Sequence, residues 1–91
     1  MFRRMSVATS GTVRVRFFAR YAQLVGREEA AVSLSLPATV ADVVRRVREE
    51  LPGARQLPER PLAAVNLKHV KLDAGVCDGD EVAFLPPVAG G

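Results

Sequence analysis

Apolar and polar positions alternate along TVRVRFFA: Val13, Val15 and Phe17 fall on one side, Arg14, Arg16 and Phe18 on the other. A period of two over this length predicts a half-buried strand. The alternation returns in AAVSLSLP, where Val32, Leu34 and Leu36 oppose Ser33 and Ser35 until Pro37 ends the run. The intervening RYAQLVGRE reads as a turn of helix or a loop closed by Gly26. Two amphipathic strands this close in sequence pair most simply as antiparallel neighbours.

The period then changes. In ATVADVVRRVREELPG, Val40, Val43, Val44, Val47 and Leu51 stand at i, i+3, i+4, i+7 and i+11, one stripe of an α-helix. This predicts a helix over 39–52. Thr39 suits the N-cap and Asp42, three residues on, the capping box. Pro52 and then Gly53 end the pattern, and Arg45, Arg46, Arg48, Glu49 and Glu50 occupy its wet side.

Beyond the helix, ARQLPERP reads as loop, and LAAVN and HVKL as short strands around a tight connection at 66–68. DAGVCDGD reads as a turn, with Asp78-Gly79 its strongest signal. EVAFL is the last strand, with Val82 and Phe84 on one face and Ala83 and Leu85 on the other. The order β-β-α-β-β-β gives an α+β class: a mixed sheet of four or five strands with one main helix on one face. The opposite sheet face is left to solvent.

Ninety-one residues make one small domain. A chain of this size buries roughly 60–65% of its unfolded surface, enough for two packed layers but not for a deep active-site cavity. At 48% hydrophobic and 25% charged, the composition is that of a folded domain. The single cysteine, Cys77, cannot form an internal disulfide, which fits a cytoplasmic location. No apolar run approaches a membrane span, and MFRRMSVATSGT lacks the apolar segment of a signal peptide. Residues 1–11 read as a flexible extension, 12–85 as the domain and 86–91 as a flexible tail. The net charge of +3 is modest for a nucleic-acid binder and reads more simply as a solvated, arginine-rich surface.

Catalytic constellations are hard to assemble from these residues. His69 is the only histidine and has no Ser or Cys beside it in sequence, so a Ser-His-Asp arrangement has no evident base. One Cys and one His fall short of the roughly four ligands of a common zinc site. Asp73, Asp78 and Asp80 sit in a Gly-containing stretch and read as turn residues. Cys77 reads as a half-buried turn residue with no cation beside it in sequence to lower its pKa. No catalytic or metal set stands out.

The last residues, LPPVAGG, offer more. A given pair of positions is Gly-Gly about one time in 200 at ~7% usage, which alone says little. Pro86-Pro87, however, favour a stiff, extended exit from the last strand. A stiff stem ending in residues without Cβ atoms can enter a narrow channel, and its terminal carboxylate can attack the α-phosphate of ATP to form an acyl adenylate.

The stretches RVRFFARYAQLVG, PLAAVN and DGDEVAFLPPVAGG resemble the MoaD/ThiS family of ubiquitin-like sulfur carriers, most of all the small subunits of molybdopterin synthases. The similarity runs in order over residues 12–91. It implies a ubiquitin-like β-grasp fold with a free C-terminal tail. It also implies that Gly91 is adenylated by a ubiquitin-activating-like enzyme using ATP and converted to a thiocarboxylate, a 1-thioglycine. The sulfur comes from a donor such as a cysteine desulfurase or rhodanese. The tail then enters the large synthase subunit, in a heterotetramer, and gives sulfur to the cyclic pyranopterin precursor. Acid-base catalysis and pterin binding fall to the large subunit, so this chain binds no cofactor itself.

Under the same resemblance Gly90 keeps the tail thin, and Phe18, Leu85, Pro86, Pro87 and His69 form a docking patch. The strand alternation independently puts Phe18 and Leu85 on the open face, and His69 opposite Val70. Family members often carry an aromatic residue in place of Leu85 and an aliphatic one in place of His69, so this chain departs from the pattern at both. The same design serves thiamin thiazole synthesis and tRNA thiolation. Two readings of other kinds are a basic RNA-binding β-grasp module and a Cys77 persulfide carrier; both predict indifference to loss of Gly90-Gly91.

Overall fold

A computed structural model describes residues 9–87. The first strand, β1 (Thr9–Phe17), pairs antiparallel with β2 (Glu29–Leu36) through eight registered positions, from Thr9 opposite Leu36 to Arg16 opposite Glu29. It starts three residues before the domain boundary expected at Thr12, so 9–11 belong to the sheet; 1–8 lie outside the described residues. Between the strands, RYAQLV forms a short helix, α1 (Arg20–Val25). Gly26 closes it at φ 87°, a left-handed conformation that costs glycine little, and donates its N–H to Ala22 O.

The two-residue β3 (Ala38–Thr39) leads into α2 (Val40–Glu50). Thr39 Oγ1 accepts the Asp42 N–H and an Asp42 oxygen accepts the Thr39 N–H, the reciprocal box expected from the sequence. The Val40 and Ala41 N–H groups donate to the carbonyls of Ala74 and Leu72. The first turn thus satisfies its donors within the protein. Val40, Val43, Val44 and Val47 are buried at 0–3% exposure, each contributing about 2 kcal/mol by leaving water.

The helix ends two residues earlier than the expected 52. Leu51 is already extended, and Pro52 opens a 3-10 helix (Pro52–Gln56) that runs into the stretch from Ala54 read as loop. Proline fits there because the first residues of a helix have no intrahelical acceptor for an N–H. Gly53 is not a helix stop but a point of contact. A Cβ on it would lie 2.5 Å from Leu24 O and 2.8 Å from Val25 Cα, so the 3-10 turn rests directly on the α1 backbone.

Four strands complete the fold: β4 (Leu62–Val65), β5 (Lys68–Val70), β6 (Gly75–Val76) and β7 (Glu81–Leu85). Asn66 and Leu67, at φ 50° and 74°, form the two-residue turn between β4 and β5. The main sheet has the order β2-β1-β7-β4-β5, in which β7 runs parallel to β1 and antiparallel to β4. The stretch read as a turn, DAGVCDGD, contributes a strand of its own: β6 pairs with β3 as a separate two-stranded sheet. Val13, Val15, Phe17, Val32, Val82 and Phe84 join the α2 valines in one core, with the Phe17 and Phe84 rings tilted 6.3 Å apart. One sheet face is covered by the helix layer; no element covers the other, although the small Ala64 and Ala83 are buried among their neighbours there.

Candidate functional site

The bare face is ordered in rows across the strands, because residues paired in register point to the same side. One row runs Glu29, Arg16, Ala83, Ala64, His69. Leu62 pairs with Leu85, and one position beyond the Phe17–Phe84 pair lies Phe18. This second row is apolar and stands at the end of the sheet where β7 runs out into Pro86 and Pro87.

Phe18 is 37% exposed and Leu62 51%. Two of the largest exposed apolar side chains among the described residues therefore flank Leu85. Leu85 itself, expected exposed, is half-buried between its neighbours. His69 is exposed and sits opposite Ala64. Pro86 is half-buried and Pro87 exposed. Gly90 and Gly91 lie outside the described residues.

The sequence patterns alone do not single out Leu62, although they carry a signal. In LAAV, alternation places Leu62 and Ala64 opposite Ala63 and Val65, and only the pairing of β4 with β7 shows which pair faces out. Arg16 is a second site residue that the patterns leave unmarked. Its guanidinium lies 5.2 Å from the Phe18 ring centroid, a cation–π distance, and Nη1 is 3.6 Å from Glu81. Arg14 bridges Glu81 at 3.1 Å and Glu29 at 3.9 Å. The apolar row thus has a charged border on one side.

Cys77 is exposed, not half-buried as expected from the sequence. Its N–H donates to Asp80 Oδ2 and its carbonyl accepts the Asp80 N–H, so the residue is held in the turn by its backbone. Asp78 Oδ1 accepts the Thr12 N–H, and Asp80 Oδ1 accepts from the Asn66 side chain. The carboxylates of this segment tie the turn to β1 and to the β4–β5 turn. No group of three or more acidic, His or Cys side chains suited to a metal ion occurs among the described residues. No helix there is long and apolar enough to cross a membrane.

An apolar row beside a proline-stiffened exit suits a partner that docks on the sheet where the chain leaves it. The ThiS family model matches residues 15–91. The chain belongs to the ThiS family. The molybdopterin synthase sulfur carrier subunit of Escherichia coli is 39% identical over 80 residues, spanning 87% of this chain and 99% of that one.

Solved structures agree with the fold. The crystal structure of SAMP1 from Haloferax volcanii superposes with a TM-score of 0.77 at 26% identity, covering 89% of this ThiS-family chain and all of the other. Subunits 1 and 2 of the molybdopterin-converting factor of Helicobacter pylori have been solved as a protein–protein complex. The matching chain gives a TM-score of 0.59 at 27% identity, over 88% of this chain and 99% of its own length. The fold is the ubiquitin-like β-grasp.

Proposed function

We propose that this chain is the sulfur carrier subunit of a molybdopterin synthase and that the Gly91 carboxylate is its working group. The observation that carries the reading is the apolar row of Phe18, Leu85 and Leu62 at the end of the sheet from which the chain departs through Pro86 and Pro87. The relatives support it: the E. coli protein, matched over nearly its whole length, is named for this role, and the H. pylori protein is solved with a second subunit.

In this reading the carboxylate attacks the α-phosphate of ATP on an adenylating enzyme and expels pyrophosphate. A sulfur nucleophile then displaces AMP from the acyl adenylate, leaving a thiocarboxylate. Sulfur passes to the pyranopterin precursor inside the large subunit, and a carboxylate returns. This chain contributes the docking row, the stiff stem and the thin end. Pro86 and Pro87 limit the conformations to be frozen when the tail enters its channel.

The test is intact-mass spectrometry of the full chain after incubation with the adenylating enzyme, ATP and sulfide. Wild type gains the mass of one oxygen-to-sulfur exchange, and the product transfers sulfur to the precursor with the large subunit. Deleting Gly91 shortens the reach by about 3.5 Å, and a misplacement of even ~1 Å can cost a hundredfold in rate, so this variant docks but fails to transfer. Gly90→Val fails as well, because a β-branched side chain widens the stem. Undiminished transfer by the Gly91 deletion overturns the reading; loss confined to Cys77→Ala replaces it with a persulfide carrier.

A further inference from the structure

The helix layer, on the side away from the apolar row, carries an open groove of about 720 Å³. It is lined by Arg45, Arg48, Arg55 and Arg60, by the carboxylates of Glu49 and Glu59, and by the apolar Ala41, Val44 and Leu72. Past Arg60 and Leu72 it continues into a concavity of about 380 Å³ that adds Thr39, Lys71 and Asp73. The two share Ala41, Arg60 and Leu72 and so adjoin one another.

Its charge is unevenly answered. Arg45 is held by Asp42, and Arg48 reaches Glu59 at 3.6 Å. Arg55, Arg60 and Lys71 have no carboxylate within ion-pair distance among the described residues. Arg48 Nε is buried and donates to no acceptor there, an unusual state for a buried donor. Five basic residues line the two concavities against three acidic ones, Glu49, Glu59 and Asp73; this net positive charge beside Ala41, Val44 and Leu72 is complementary to carboxylates carried on a chain that also bears apolar side chains.

Two other anionic occupants fit less well. A phosphate site is commonly built from convergent backbone N–H groups, but those of Val40, Ala41 and Asp42 at the start of α2 are already donated to Ala74, Leu72 and Thr39. Single-stranded nucleic acid binds by stacking bases on aromatic rings as well as by charge, and no aromatic residue lines either concavity. We infer that this groove is a second docking site, for an acidic, partly apolar peptide segment of a protein partner. Because it lies in the helix layer, it can be occupied while the sheet face and tail are engaged elsewhere. The inference does not depend on the fate of Gly91.

The probe is a fluorescein-labelled peptide of alternating glutamate and leucine, titrated by anisotropy against the full chain at low and moderate salt. Binding is expected to weaken about tenfold or more on Arg60→Glu or Arg55→Glu, with melting temperatures unchanged. Lys68→Glu, an equal change of charge outside the groove, is expected to have little effect. Backbone amide shifts on titration concentrate at Ala41, Val44 and Leu72. Four results overturn the site: no binding, equal weakening by Lys68→Glu, shifts centred on Phe18 and Leu62, or a polyuridine oligonucleotide of matched charge binding more tightly than the peptide.

Discussion

At the scale of single residues, Thr39 and Asp42 show how a few atoms set the start of α2. The Asp42 carboxyl is held below its usual range, chiefly by the hydrogen bond from the Thr39 backbone and then by the Arg45 side chain, with burial opposing. A carboxylate whose pKa is depressed in the folded state contributes stability above the unfolded pKa and loses it as pH falls through the folded value. Asp42→Ala is therefore expected to lower stability by about 1 kcal/mol near neutral pH, with the difference from wild type shrinking below about pH 4. Thermal melts of both proteins across pH 3–7, taken as an approximate window around that pKa, check this; a constant difference at all pH values assigns the effect to packing. The capping box was legible from the sequence because its spacing is a property of any helix start. The state of Cys77 was not, since exposure in a turn depends on which neighbours fold over it.

Among the elements, the contact between the 3-10 helix and α1 makes a separate test. The space at Gly53 is closed by backbone atoms of Leu24 and Val25, which cannot rotate away as a side chain would. Gly53→Ala is expected to cost about 1–3 kcal/mol, visible as a lower urea midpoint. Gly75→Ala, where a Cβ would meet only Ala38 O at 3.8 Å, is expected to show no such steric cost. Val43→Asp, placing an unpaired charge at a position with no exposure, should be more severe than either, at several kcal/mol or frank unfolding. Elements with their own period were readable: β1, β2, α2 and β7 each carry one stripe that packing later buries. The pair β3 and β6 was not, because two residues have no period, and neither has reason to be a strand until the other lies beside it. The role of Gly53 was hidden for the same reason, since its partner is the backbone of a distant segment.

For the whole molecule, the bare sheet face should separate binding from folding. Under the proposed function, Phe18→Ala and Leu62→Ala are each expected to cost about 2 kcal/mol in binding to the large subunit, while melting temperatures change little because both side chains are already exposed. Calorimetric titration showing native affinity for both variants removes the row from the docking surface. The β-grasp could be inferred from element order and the chain's resemblance to sulfur carriers, but the rows could not. Which strands neighbour which decides that Leu62 meets Leu85, and strand order is a tertiary property. That order also bears on how the protein is made. β7 lies between β1 and β4, so until Glu81–Leu85 have been synthesised the β1–β2 pair and the β4–β5 pair are two islands without a shared sheet. Of the described strands, the one translated last is the keystone. A ribosome that stalls or stops before it releases a chain whose hydrophobic surface stays open and is exposed to proteolysis. The segment that leads into the tail is thus also the one that joins the two strand pairs into a single sheet.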